Sequence, residues 1–355
     1  MSQETAQWLN TQTLIGHTDK RGHAWHYRAE EQGTESNHYP GPVPVEDVKR
    51  RLFGWEAQSR PLFVRVPTDD LIAAAGIDDD GVPFRFQEVT GRQAITREDQ
   101  RPGVDVLGIF AEGYQRHQYA EWLVEQVSTI VSDGLGIGSA GLLKRGGVAW
   151  VSFEVPDTIT TPEGVAFRPN LLAATSHDGS LSTTYARVVT NVVCDNTMSA
   201  ALAERDQRVK VRHSRYSRLR LGEARAALAI VHTIAEDFAA EVAQLARVDV
   251  SDKAWQAFLD AHSALPEGTK PSRARTIAEK KRDTLTRLWN HDHRVTPWRG
   301  TGWGVVQAVN TYTHHEQAVR GMDRAERNML RAVEGGTDAL DAGTVATLRK
   351  VLAKV

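Results

Sequence analysis

Two long apolar runs with a short polar step between them constrain this chain more than any other feature. Phe167 to Thr175 and Ser182 to Cys194 bracket Ser176-His177-Asp178-Gly179. An Asp-Gly pair between strand-length apolar runs reads as a tight turn joining two antiparallel strands. A second step of this kind lies upstream, where Gly146-Gly147 interrupts Leu142 to Val155. Val104 to Phe110 and Pro61 to Val66 also have strand character. The centre of the chain therefore reads as an antiparallel meander.

The rest of the chain changes period. Apolar residues recur at helical spacing over Leu219–Ala246, Asp252–His262, Arg273–Trp289, Trp303–Val319, Asp323–Val333 and Thr344–Val355. Shorter helices are expected over Val45–Phe53 and Tyr119–Val131. Strands first and helices later predict an α+β protein, with an antiparallel β-meander core and a mainly helical C-terminal third. Three regions follow: a divergent N-terminal region (1–100), a β-rich core (101–215) and a helical region packing on that core (216–355). Thr68 to Gln100, with Asp78-Asp-Asp-Gly81, reads as a loop-rich excursion.

Composition excludes several classes. At 355 residues, 41% hydrophobic and 25% charged, the chain can bury a large core. A formal net charge of -2 gives no global attraction to nucleic acid, so any such binding must come from local clustering. The single cysteine, Cys194, permits no internal disulfide and suits a reducing compartment. The N-terminus shows no secretory pattern and no apolar stretch approaches a membrane span, so a cytoplasmic protein without membrane contact is expected.

Few segments have the spacing that chemistry requires. Gly134-Leu-Gly-Ile-Gly-Ser-Ala-Gly141 resembles a phosphate loop, but a hairpin follows where a helix is needed, so it reads as a strand or a close backbone approach. Ser176, His177 and Asp178 are adjacent, and adjacent side chains on an extended chain diverge, so they form no triad. They read as turn residues, or as a polar rim contacting a ligand. His291-Asp-His293, His314-His315-Glu316 and the acids Asp69, Asp70, Asp78, Asp79 and Asp80 lack metal-site spacing. No metal, cofactor or catalytic centre is expected. Trp289, Trp298 and Trp303 are assigned to packing between helices.

The basic run is the strongest functional clue. Arg205, Arg208, Lys210, Arg212, His213, Arg215, Arg218, Arg220 and Arg225 face only Asp206 and Glu223. In an extended segment, Arg208, Lys210 and Arg212 share one side. Tyr216 lies within the run and Tyr185 on the preceding strand. Arginine with aromatic side chains is the composition that tracks a phosphate backbone and stacks bases. A solvated face paired with acids elsewhere fits the run equally well. Lys270, Arg273, Arg275, Lys280, Lys281, Arg282 and Arg287 read as the polar side of a helix.

Several segments carry a resemblance. Gly108-Ile-Phe-Ala-Glu-Gly-Tyr114-Gln, Ser176-His-Asp-Gly-Ser180, Val193-Cys-Asp-Asn-Thr197, Val211-Arg-His-Ser214 and Thr301-Gly-Trp-Gly-Val-Val-Gln-Ala-Val-Asn-Thr-Tyr312 resemble a phage/plasmid-like protein family of unknown function. The similarity runs over roughly residues 105 to 320; the N-terminal third departs, and 68–100 looks like an insertion. The outline is also similar to that of phage single-strand annealing recombinases. The resemblance implies a phage or plasmid DNA-metabolism protein in the bacterial host cytoplasm. It would bind single-stranded DNA, promote annealing in recombination or replication, and self-associate into a homo-oligomer. On that reading Arg205, Arg208, Lys210, Arg212, Arg215, Arg218 and Arg220 contact phosphates. Tyr185 and Tyr114 stack on bases, and His177 shapes the groove edge. The alternatives are a metal-dependent enzyme acting on nucleic acid and a host-directed interaction factor.

Overall fold

The computed structural model describes residues 12–16, 35–72, 74–97, 99, 106–128, 135–155, 157–191, 196–199, 208–214, 217, 233–266, 272–322 and 324–355. In chain order the strands are β1 (Thr13–Ile15), β2 (Ala57–Pro67), β3 (Gly76–Ile77), β4 (Pro83–Arg97), β5 (Gly108–Ala111), β6 (Gly136–Leu143), β7 (Val148–Glu154), β8 (Ile159–Thr160), β9 (Ala166–Ser176), β10 (Thr183–Asn191), β11 (Asn196–Ser199) and β12 (Arg208–Val211). The helices are α1 (Val45–Leu52), α2 (a π-helical turn, Ala120–Glu125, continued by Gln126–Ser128), α3 (Thr233–Ala246), α4 (Asp252–His262), α5 (Arg273–His291), α6 (Gly302–Thr311), α7 (Arg324–Glu334) and α8 (Gly336–Leu352).

The main sheet runs β1-β6-β7-β9-β10-β11, with β12 also on β10 and β8 also on β9, all antiparallel. The two expected hairpins form: β6–β7 turns at Lys144–Gly147, and β9–β10 turns through Asp178-Gly179. In the second turn, Asp178 Oδ1 accepts from the Ser180 backbone N–H, and Gly179 supplies the left-handed φ of 79°. Every residue of β7 is buried, and the strand's alternation divides them between two layers. Ala149 and Val151, with Leu171, Ala173, Tyr185 and Val211, face α1 and α2. Val148 and Trp150, with Leu172, Ala174, Ala186 and Val188, face Leu330 and Val333 of α7. Further along that sheet, α3 lays Ile234, Phe238 and Val242 on Phe167 and Val189. Burial on both faces explains why these strands read as continuous apolar runs.

From Gly136 on, the glycine-rich run is a strand, as its sequence context implied. Gly138 makes room for the buried Glu154 carboxylate, with which a Cβ would collide. Gly141 seats the Trp150 indole, whose Nε1 would lie 2.9 Å from a Cβ there.

The helical third is built around α6, all ten residues of which are buried. Thr301 starts α6 by accepting from the Gly304 N–H, as Ser251 and Ser272 start α4 and α5. Trp255 stacks on Trp289 with ring centroids 4.4 Å apart, and Trp303 meets Phe238 edge-on. The three tryptophans singled out in the sequence are thus packing residues. The helix expected to run from Trp303 to Val319 ends sooner, passing through a π-helical turn at Tyr312–Glu316. Of the helix expected over Leu219–Ala246, residues 219–232 lie outside those described.

The largest correction concerns the excursion expected over 68–100. It is mostly sheet: β4 is fifteen residues long and pairs with β2, β3 and β5. Together they form an arm whose root is tied to the core, while beyond Pro61 and Gln93 no residue of β2 or β4 is buried. Both faces of that stem meet solvent, so the usual alternation of apolar and polar residues is missing and the strands are disguised. The expected boundary between 1–100 and 101–215 is crossed by the β1–β6 and β4–β5 pairings.

Replacing Gly141 by Ala should displace Trp150 and lower stability by about 1–3 kcal/mol, read as a drop in urea midpoint. An unchanged midpoint would mean that Trp150 has slack which this packing does not show.

Candidate functional site

Five rings form a continuous column where the arm joins the main sheet. Phe110 stacks on Tyr114 at 3.9 Å, and Tyr114 on His213 at 4.9 Å. His213 stacks on His117 at 4.0 Å, and His117 on Trp122 at 3.7 Å. Phe110 comes from β5 of the arm, His213 from the end of β12, and Trp122 from α2 in the core. Gly179 is the floor beneath Phe110: a Cβ there would come within 2.8 Å of the ring.

A chain of hydrogen bonds runs beside the rings. The Gln115 carbonyl can only accept, so His213 Nδ1 donates to it and Nε2 carries a lone pair. Thr175 then donates to His213 Nε2 at 3.1 Å, Thr183 to Thr175 at 2.7 Å, and His117 Nδ1 to Thr183. This assignment gives each contact one hydrogen and fixes both tautomers. The root has further ties. The Gln118 amide pairs with both backbone groups of Ala57 at 2.9 Å, and Gln93 Nε2 donates to the Ala111 and Glu112 carbonyls. Arg97 lies 4.1 Å over Trp55 and pairs with Asp99 at 2.7 Å.

The residues expected to bind nucleic acid separate sharply. Arg205, Arg215, Arg218 and Arg220 lie outside the described residues. Arg208 is turned inward: its guanidinium donates to the Ala332 and Val333 carbonyls at the end of α7 and pairs with Asp338 of α8 at 2.5 Å. It neutralises a helix C-terminus instead of contacting phosphate. Tyr185 is 0% exposed, with its hydroxyl donating to the Trp122 carbonyl, so it presents no face to a base. Tyr114 has Phe110 on one face and His213 on the other, leaving no room for a stacked base. His177 is also 0% exposed, stacked on Tyr119 at 4.3 Å, and forms no groove edge. Lys210 and Arg212 are exposed, and no carboxylate among the described residues pairs with either.

The sequence reading found part of β2 in Pro61 to Val66 but missed β4, and with it the arm. On its stem, Arg60, Arg65, Arg85 and Arg92 are exposed, and no acid among the described residues pairs with them. The register puts Phe63, Arg65, Phe84 and Phe86 on one face. Arg65 sits 4.7 Å over Phe84, which meets Phe86 edge-on at 5.7 Å. The Phe-x-Phe step at 84–86 and the alternation of Phe63, Arg65 and Pro67 were the available signals. The acid cluster lies at the arm's far end as turn residues: Asp78 Oδ1 accepts from the Asp80 and Val82 N–H groups, and Asp70 Oδ1 from that of Ile72. His293 is exposed and His314 buried. Among the described residues, no three histidines, cysteines or carboxylates converge as metal ligands.

Burial disfavours the charged imidazole, so it holds His213 down to about 4 and His177 to about 3; His117 is lowered further, with its two neighbouring imidazoles adding to burial. All three are neutral in the folded chain at pH values where the unfolded chain protonates. Their contribution is intact above about pH 6.5 and is lost as pH falls from there toward 4, at about 1.4 kcal/mol per pH unit for each histidine. Among the described residues, neither ring nitrogen of His177 has a hydrogen-bond partner. Replacing His177 with Leu should flatten the acid limb by about one histidine's share. At pH 7.5 it should change stability by less than about 1.5 kcal/mol. Urea unfolding at stepped pH reads both quantities, and an unchanged slope would remove His177 from the linked set.

Residues 106–334 match the family model described as "Domain of unknown function (DUF932)". That span takes in β5, the ring column, β6 to β12 and helices α2 to α7; β1, α1 and β2 to β4 of the arm precede it. Comparison with curated proteins and with solved structures gave no match. No helix among the described residues is long and apolar enough to cross a membrane. With well over half of its length matched, the chain belongs to the DUF932 family.

Proposed function

We propose that this protein binds single-stranded DNA and promotes strand annealing, acting as a homo-oligomer in phage or plasmid recombination or replication. The observation that carries the reading is a group of exposed cations without carboxylate partners among the described residues: Lys210 and Arg212 at the end of β12, Arg116 beside the ring column, and the four arginines of the arm stem. Some other surface cations are matched locally, as Lys49 is by Glu125, Arg187 by Asp237, Arg282 by Asp260 and Arg287 by Glu316, while Lys253, Lys280 and Lys350 of the helical third are exposed without an acid partner among the described residues. Cations that no acid has claimed are what counterion release from a phosphate backbone requires. The mobile-element setting rests on the resemblance of the five segments quoted above.

The test is fluorescence anisotropy with single- and double-stranded oligonucleotides over a salt series. Reversing Lys210 and Arg212 to Glu should weaken binding and reduce the salt slope by about one for each cation removed. Arg208→Ala should leave that slope unchanged but cost about 3 kcal/mol of stability, because it strands Asp338 and two helix-end carbonyls. Undiminished affinity in the reversal variant would sink the assignment of Lys210 and Arg212.

A further inference from the structure

We infer that the Phe63–Phe84–Phe86 face of the arm is a stacking platform for the unpaired bases of a nucleic-acid single strand. The inference rests on the single-strand reading above and assigns it a contact surface within β2 to β4.

Phe63 is 49% exposed and Phe86 56%, both on strands whose opposite face is also wet. A monomeric protein seldom leaves aromatic rings of this size on one contiguous face without a ligand for them. The rings sit on paired strands. Arg65 lies directly opposite Phe86, and Phe63 opposite Glu88, so side chains of one face lie about 5 Å apart across the strands. Along each strand they recur at about 7 Å, twice the rise per residue. A base can slide onto such a surface from the side, and stacking accepts any base because every base has a π-face.

Charge selects a nucleic acid over an apolar partner. Arg65 and Arg85, on adjacent rungs of the β2–β4 ladder, project to opposite faces, and Arg60 lies further along β2, which pairs only with β4 among the described residues. A phosphate backbone following that strand meets guanidinium groups from both faces while its bases turn onto the phenylalanines. On the paired stem Glu88 is the one acid among the described residues; Asp69, Asp70, Asp78, Asp79 and Asp80 lie beyond it in the turns at the far end. Arg65 over Phe84 is already the cation–aromatic pairing through which arginine also holds a stacked base. The platform ends toward the root, where a register shift between Pro61 and Phe63 interrupts the β2–β4 ladder.

The experiment is equilibrium binding of the full chain to single-stranded DNA and RNA of one mixed sequence, by anisotropy over a salt series. Self-association is followed in parallel by sedimentation velocity. The variants are Phe63→Ala/Phe86→Ala and Phe63→Leu/Phe86→Leu; the second keeps apolar bulk, and the fold, while removing the π-faces. We expect both to lose affinity about tenfold or more for each ring removed, with an unchanged salt slope because no cation has been lost. The ratio of variant to wild type should be the same for DNA and RNA, since stacking does not read the sugar. Wild-type affinity in both variants would overturn the platform and leave the Lys210 and Arg212 assignment standing. Absence of any nucleic-acid binding by the wild type at low salt would remove the reading on which the platform rests. Loss of self-association with unchanged nucleic-acid affinity would overturn it in favour of a face that docks a second copy.

Discussion

The ring column from Phe110 to Trp122 is the contact on which the geometry of this protein turns. It joins three things that are distant in sequence: the root of the arm, the end of the basic strand β12, and the helix α2 inside the core. Stacked rings resist shear weakly, so the column alone would not set a unique arrangement. The directed hydrogen bonds through Thr175 and Thr183 supply what stacking lacks. They hold His213 and His117 in fixed tautomers and therefore at fixed rotations. Lys210 and Arg212 inherit their position from this anchoring, because the residue that follows them is one of the stacked rings.

Much of the core was legible in the sequence. The Asp178-Gly179 and Gly146-Gly147 turns were readable because each demands a backbone conformation that few residues tolerate, and each sits between runs of strand length. Helical spacing placed the starts of α4, α5 and α6 to within a residue, and in the structure Ser251, Ser272 and Thr301 cap them. The arm was hidden for a physical reason. A strand reads clearly when one face is buried, and Phe84-Arg85-Phe86-Gln87-Glu88 has no buried face. Its residues answer to solvent and to whatever the arm meets, not to a core.

The site was only partly legible, and here the failure is instructive. Arg208, Lys210 and Arg212 are equivalent by spacing, yet Arg208 is consumed by the α7–α8 junction. Tyr185 looked like a ligand platform because it precedes a basic run, but its strand is covered on that face by α2. Charge density along a sequence counts residues; a binding surface counts only those that no internal group has claimed. The net charge of -2 misleads in the same way, since acids collected at the far end of the arm and in local pairs cannot cancel cations held elsewhere on the surface.

The full enclosure of α6 has its own consequence. A helix with no solvent face cannot loosen one side at a time: each turn leans on α3, α4, α5 or α8, and Asn310 is tied to the buried Asp341 of α8 at 2.9 Å. Its amide protons can therefore reach water only when the surrounding shell opens as a whole, and hydrogen exchange in the helical third becomes a reading of global rather than local stability.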